Sequence, residues 1–174
     1  MKLQGKRIAI LVDDLYEERE FWYPYLRLQE EGAEVRVISR QQTHPSKHGM
    51  PSPRRDLAPA EARAAEFDAL VVPGGYAPDH LRRYEEVLRL VREMDQARKP
   101  IAAICHAGWV LISAGICKGR TMTGYFAIRD DLKNAGAEYV DREVVRDGNV
   151  ITSRHPGDLP AFCRTLIAAL VGEG

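Results

Sequence analysis

Cys105 and His106 stand side by side in KPIAAICHAGWVLISAG, residues 99–115, where one short apolar run stops and a longer one begins. A thiol next to an imidazole can do nucleophilic chemistry, because the imidazole accepts or returns the proton that the sulfur must lose. If the first run is a strand and the second a helix, Cys105 occupies the sharp turn between them. A side chain on such an elbow is lifted clear of the backbone, and N–H groups converge on it. The helix N-terminus is expected to favour thiolate and to lower the thiol pKa.

Two further stretches could complete the chemistry. Pro73-Gly74-Gly75 ends the apolar run DALVV, and glycines there allow a close backbone approach. The N–H groups of Gly74 and Gly75, alongside that of His106, are candidate oxyanion donors. An acidic cluster, Asp13, Asp14, Glu17, Glu18 and Glu20, follows the first apolar run. Helix-start electrostatics account for Asp13, Asp14 and Glu18. Glu20 precedes Phe21-Trp22-Tyr23 and so faces an apolar neighbourhood. Glu17 and Glu20, three apart, are expected to share a helix face, from which one carboxyl reaches the thiol. The aromatic run is equally compatible with core packing and with an interface. Cys117 and Cys163 have no such context and read as small buried hydrophobes.

The elements that would position these groups alternate. Strands are expected at Arg7–Val12, Ala33–Ser39, Asp68–Val72 and Ile101–Ile104, and a hairpin at Val144–Thr152 around Asp147-Gly148. Helices are expected up to Glu31 with Gly32 as stop, over Leu81–Ala97, Ala107–Ala114 and Ile128–Ala135, and from Pro160 to Val171. Pro24 predicts a kink or a late start in the first helix. Gln41–Pro59 reads as loop with at most a short hairpin. The order implies an α/β fold, a mostly parallel sheet with helices on both faces and ligands at the carboxyl ends of its strands. The 174 residues read as a single domain with no internal repeat or linker.

Composition narrows the function. Lys plus Arg and Asp plus Glu each number 25, so no basic excess points to nucleic acid or an anionic membrane. No apolar stretch reaches the roughly 18 residues of a membrane span. The start, MKLQGKRIAILVDD, reads as a first strand rather than a signal peptide. Three cysteines without metal-type spacing suit reduced thiols in a cytoplasmic protein. The acidic residues and histidines show no ligand spacing and no phosphate-loop pattern occurs, so neither a metal nor another cofactor is expected.

Five stretches taken together, LVDDLYEEREFWYPYLRLQEEGAEV, FDALVVPGGYAPDHLR, KPIAAICHAGWVLISAG, RTMTGYFAIRDDLKNAGAEYVD and DGNVITSRHPGDL, resemble the ThiJ/PfpI superfamily. The resemblance is to its PfpI-like intracellular-protease and general-stress-protein branch, and runs from Arg7 to Leu170. It implies a flavodoxin-like three-layer sandwich related to class I glutamine amidotransferases, in homodimers or larger rings. It also implies Cys105 as nucleophile, His106 as neighbouring imidazole, Glu20 as the helix carboxylate beside the thiol, and backbone donors at Gly75 and His106. A neighbouring subunit's carboxylate completes the site in ring-forming members, and Glu17 is a possible counterpart here. Ala107 stands where many relatives carry glycine, which narrows the room expected above the thiol. His155-Pro156-Gly157-Asp158 sits where amidotransferases place His-Pro-Glu, so His155 is expected near the site as an accessory residue. The function implied is a stress-protective cysteine enzyme acting on small reactive carbonyls or on modified proteins and peptides. An intracellular peptidase and a redox sensor or holdase using the same thiol are the alternatives.

Overall fold

The computed structural model describes residues 1–173. The chain folds as β1 (Arg7–Leu11), α1 (Glu18–Glu30), β2 (Glu34–Ile38), β3 (Ala69–Val72), α2 (Ala77–Leu81), α3 (Glu85–Gln96) and β4 (Ile101–Ile104). It continues with α4 (Gly108–Ala114), β5 (Thr121–Met122), α5 (Arg129–Asn134), β6 (Glu138–Tyr139), β7 (Val145–Asp147), β8 (Val150–Ser153) and α6 (Leu159–Leu170). The sheet order is β2-β1-β3-β4-β8-β7. The first five of these strands are parallel, and β7 runs antiparallel to β8.

β1, β3, β4 and β8 are buried nearly throughout because helices cover both faces of the sheet. α1 and α6 pack together on one side, and α2, α3, α4 and α5 pack on the other. In α3, Val87, Leu88, Val91 and Met94 form the buried stripe that seats it. Ala102 and Ala103 in β4 are small and buried, which lets the flanking helices come close.

The chain leaves β1 for β2 on one side and returns through β3 on the other, so the strand order reverses between β1 and β3. A crevice opens at such a point outside the carboxyl ends. The turns after β1, β3 and β4 all emerge there, carrying the acidic cluster, Gly74-Gly75 and Cys105.

Four expectations are revised. Pro24 lies inside α1 and does not delay its start, which is at Glu18; its missing N–H leaves the carbonyl of Glu20 without the usual partner. The helix expected over Leu81–Ala97 begins later, as α3 at Glu85, and Leu81 ends a separate short helix, α2, that was not expected. β5 and β6 form a small second sheet that short, unpatterned sequences did not announce. The aromatic run is divided between surroundings: Phe21 is fully buried, Tyr23 is 40% exposed, and Phe21 packs against Tyr16, Trp22 and Tyr25. Among the described residues no helix is long and apolar enough to cross a membrane.

Ile101 is buried at the start of β4, paired with Leu70 and Val150, and lies at the opposite end of the strand from Cys105. Ile101→Ala should lower unfolding free energy by about 2–5 kcal/mol in urea titration.

Candidate active site

Cys105 follows β4 directly and has φ +63°, the left-handed region that non-glycine residues rarely adopt. A single turn of 3-10 helix, Cys105–Ala107, carries the chain into α4. The N–H of Tyr125 donates to the carbonyl of Cys105 at 3.1 Å, holding the turn from the other side. Local strain of this kind persists only where the surroundings over-determine it. The thiol is 9% exposed at the base of a pocket of about 330 Å3.

The backbone N–H groups of His106 and Gly75 lie beside the sulfur and lower the thiol's pKa. Gly75 has φ +76°, and a Cβ there would lie 2.6 Å from the carbonyl oxygen of Leu15. At Gly74 a Cβ would fall 2.7 Å from Cys105 Cβ and into Glu20 Oε2. Both glycines are required by close approach, the first also by conformation.

Glu20 is completely buried. Its Oε2 accepts the N–H of Gly74 at 2.9 Å, and its carboxyl also meets the Cys105 thiol. Oε1 has no nitrogen or oxygen partner among the described residues. Burial, followed by the nearby charge of Glu17, raises the Glu20 pKa to about 8, against the smaller opposing effects of Gly74 and Cys105. Burial likewise pushes the thiol up, and a charged Glu20 pushes it further, while the N–H groups of His106 and Gly75 pull it down. The expected helix-terminus depression is thus outweighed by desolvation, since α4 begins three residues after the cysteine. Burial thus pushes both groups toward their protonated forms. At neutral pH the carboxyl is protonated and available as a donor to sulfur.

His106 Nδ1 lies 3.3 Å from Sγ. The ring sits among Trp109, Tyr125 and Tyr76, with centroids at 5.1, 4.9 and 6.4 Å. Burial and the positive charge of Lys47 both lower its pKa, so the imidazole is neutral and able to accept a proton.

Glu17 is the N-cap of α1 rather than a member of its first turn, with extended backbone, so the shared helix face with Glu20 does not exist. It still lines the pocket, buried, and bonds Arg19 Nε at 2.8 Å and Lys47 Nζ at 3.0 Å. Burial would raise its pKa, but the two cations hold it below the usual carboxylate value. His155 and Pro156 line the same pocket. His155 Nδ1 accepts the N–H of Gly157 at 3.2 Å, which caps the short turn Pro156–Asp158. Ala107 is buried and absent from the lining, so it does not narrow the pocket above the thiol.

Four lining residues escaped the sequence reading: Arg19, Lys47, Tyr76 and Tyr125. Lys47 comes from the polar segment 41–59. That segment is pinned by Leu15 N–H to Pro45 O at 2.8 Å and Lys47 N–H to Tyr16 O at 3.0 Å. Ser46 also donates to Glu18, and the His48 N–H meets Glu18 Oε1 at 3.0 Å. Burial alone would raise the Glu18 pKa, yet these bonds hold it at about 2. KHG within this stretch was the one available signal, a cation beside a turn glycine. Cys117 and Cys163 are buried, and desolvation pushes both thiols to about 12, as small buried hydrophobes should behave.

The sequence pattern of the DJ-1/PfpI family matches residues 6–169. "Deglycase PfpI" of Pyrococcus furiosus is 48% identical over 165 residues, covering 94% of this chain and 99% of that one. "Protein/nucleic acid deglycase 2" of Escherichia coli is 42% identical over 169 residues, covering 95% and 98%. A solved two-domain protein of Anabaena variabilis, containing DJ-1/ThiJ/PfpI-like and ferritin-like domains, superposes with a TM-score of 0.93 at 41% identity. That match covers 98% of this chain and 49% of the two-domain chain.

Two outcomes follow from the geometry. Cys105→Gly should be more stable than Cys105→Ala by about 1 kcal/mol in chemical denaturation, because only glycine adopts positive φ without penalty. A hydrogen bond to a charged group contributes about 1.5–3 kcal/mol, and one pH unit corresponds to about 1.36 kcal/mol. A charged Glu20 raises the thiol pKa, so Glu20→Leu and Glu20→Gln, which both remove that charge, should lower it by about one to two pH units. The pH dependence of iodoacetamide alkylation measures both.

Proposed function

The chain belongs to the DJ-1/PfpI family, and from that premise we propose that it is a cysteine-dependent deglycase, removing small reactive-carbonyl adducts from amines. The observation that carries this reading is the left-handed Cys105 at the base of a small polar pocket, with two backbone N–H groups, a protonated carboxyl and a neutral imidazole around its sulfur.

Cys105 thiolate attacks the adduct carbon that bears nitrogen and oxygen. The C–N bond breaks, and the amine leaves with a proton supplied by His106 or Glu20. The N–H groups of Gly75 and His106 are the donors for the developing oxygen charge. This leaves a hemithioacetal on Cys105; its carbon-bound proton moves through an enediol to the neighbouring ketone carbon, giving the thioester of an α-hydroxy acid, and water hydrolyses that thioester to free the acid and the thiol. For the adduct of a three-carbon α-ketoaldehyde, the sum is adduct plus water giving free amine plus an α-hydroxy acid, with no external oxidant or reductant. Lys47 and Arg19 at the pocket wall suit a product that gains a carboxylate. A pocket of about 330 Å3 is near the lower end of small-ligand sites. It holds a three-carbon fragment and the tip of a modified side chain better than the extended backbone a peptidase must grip.

The test is release of free lysine side chains from a methylglyoxal-modified peptide, read by mass spectrometry beside casein cleavage. Adduct removal with no casein cleavage, lost in Cys105→Ser, is the expected result. Casein cleavage without adduct removal would replace this reading with the peptidase one. The rate should also fall on the alkaline side with an apparent pKa of about 8, as Glu20 loses the proton it donates. Glu20→Gln should remove that limb from the pH profile.

A further inference from the structure

Where β1 gives way to α1 lies a second group of polar side chains that the chemistry above does not use. Asp13, Asp14 and His44 each present one ligand-type atom, and these atoms lie within 4.8 Å of one another. Asp13 and His44 are 4% and 1% exposed. His44 Nδ1 is 2.6 Å from Asp14 Oδ1 and 3.5 Å from Asp13 Oδ1. His80, on α2, brings its Nδ1 to 3.6 Å from the same Asp13 oxygen.

Two atoms here are unusual. Asp13 Oδ2 and His80 Nδ1 are buried without a hydrogen-bond partner among the described residues. A buried carboxylate oxygen left unpaired is costly. The separations of 3.5 and 3.6 Å are too long for good hydrogen bonds. They are close to the edge of a tetrahedron with metal–ligand bonds of about 2.0–2.1 Å, which is roughly 3.4 Å. Nitrogen and carboxylate oxygen together are the donor set of zinc-like cations, whereas calcium and magnesium prefer oxygen alone.

We propose that Asp13, Asp14 and His44 bind a divalent cation of the zinc class, with His80 at the edge of the site. Coordination through Nδ1 places the His44 ring proton on Nε2. The Gln41 N–H, 3.4 Å from that atom, is distant enough to yield. The contact between His44 and Asp14 opens from 2.6 Å to roughly 3.4 Å as the ion enters.

The position gives such an ion a task. It would join the end of β1, the segment 41–59 and α2, the three pieces that support Leu15, Lys47 and Gly75. Leu15 O accepts the N–H of Tyr76 at 2.9 Å, and Pro45 O accepts that of Leu15 at 2.8 Å. An ion at Asp13 would thus stiffen the wall of the catalytic pocket without touching substrate.

The experiment is zinc titration by calorimetry of untagged, chelator-treated Cys105→Ser protein, which removes the competing thiol. One saturable site per chain is expected, weakened about tenfold or more by Asp14→Asn and by His44→Asn. Asp14 is partly exposed, so its variant tests the site even if His44→Asn fails to fold. Amide hydrogen exchange in residues 41–59 should slow when zinc is bound. No saturable binding, binding unchanged in Asp14→Asn, or exchange in 41–59 unaffected by bound zinc would each overturn the proposal. A result of this kind leaves the deglycase reading untouched, since that depends on Cys105 and this test is made without it.

Discussion

The carboxyl of Glu20 lies completely buried between the Gly74 N–H and the Cys105 thiol, and the ends of β1, β3 and β4 are arranged around it. A charged carboxylate could not remain there cheaply, so burial and the neighbouring Glu17 keep it protonated into the neutral range. Three backbone requirements follow. Gly74 has no side chain because Glu20 and Cys105 occupy that space. Cys105 turns left-handed so that its sulfur comes back over the strand end toward the carboxyl. α1 continues through Pro24 because the residues that seat it, Glu20, Phe21, Pro24 and Leu28, form its buried face. Propensity is overridden by packing at this helix.

Around this uncharged base the pocket wall is charged. Lys47 and Arg19 share Glu17, which cancels part of their charge while fixing where they stand. Lys47 also keeps the His106 imidazole neutral. A protonated acid below the sulfur and an unprotonated base beside it give a proton donor and a proton acceptor at one pH. Burial disfavours the charged form of each, raising the carboxyl and lowering the imidazole, with Lys47 adding to the second effect. The same Lys47 depends on a segment with little regular structure, held by Glu18, Ser46 and the backbone of Leu15 and Tyr16. Loop residues positioned by a rigid scaffold commonly carry function.

Much of this was legible in the sequence. Continuous apolar runs identified β1, β3 and β4, because strands covered on both faces need no alternation. The break in period at Cys105 located the elbow, and Pro-Gly-Gly located the turn beside it. Glu20 stood out as a charge leading an aromatic run, and its complete burial has the cause that the run suggested. These are local signals, and each concerns residues near one another in the chain.

Tertiary structure alone decided the rest. It set Glu17 as an N-cap instead of a helix-face partner, moved the start of the helix expected at Leu81 to Glu85, and brought Lys47 and Tyr125 to the thiol. It also gathered Asp13, Asp14, His44 and His80 from three separated segments, where no spacing rule could connect them. The sign of the thiol's displacement is of the same kind. Helix position argues for a lower pKa, yet the degree of desolvation and the state of Glu20 overrule it, and both are properties of packing. Periodicity and turn residues report on backbone conformation within a few residues. Distances between side chains on different elements depend on the strand order and on how segments such as 41–59 are pinned, and the sequence carries no local record of either.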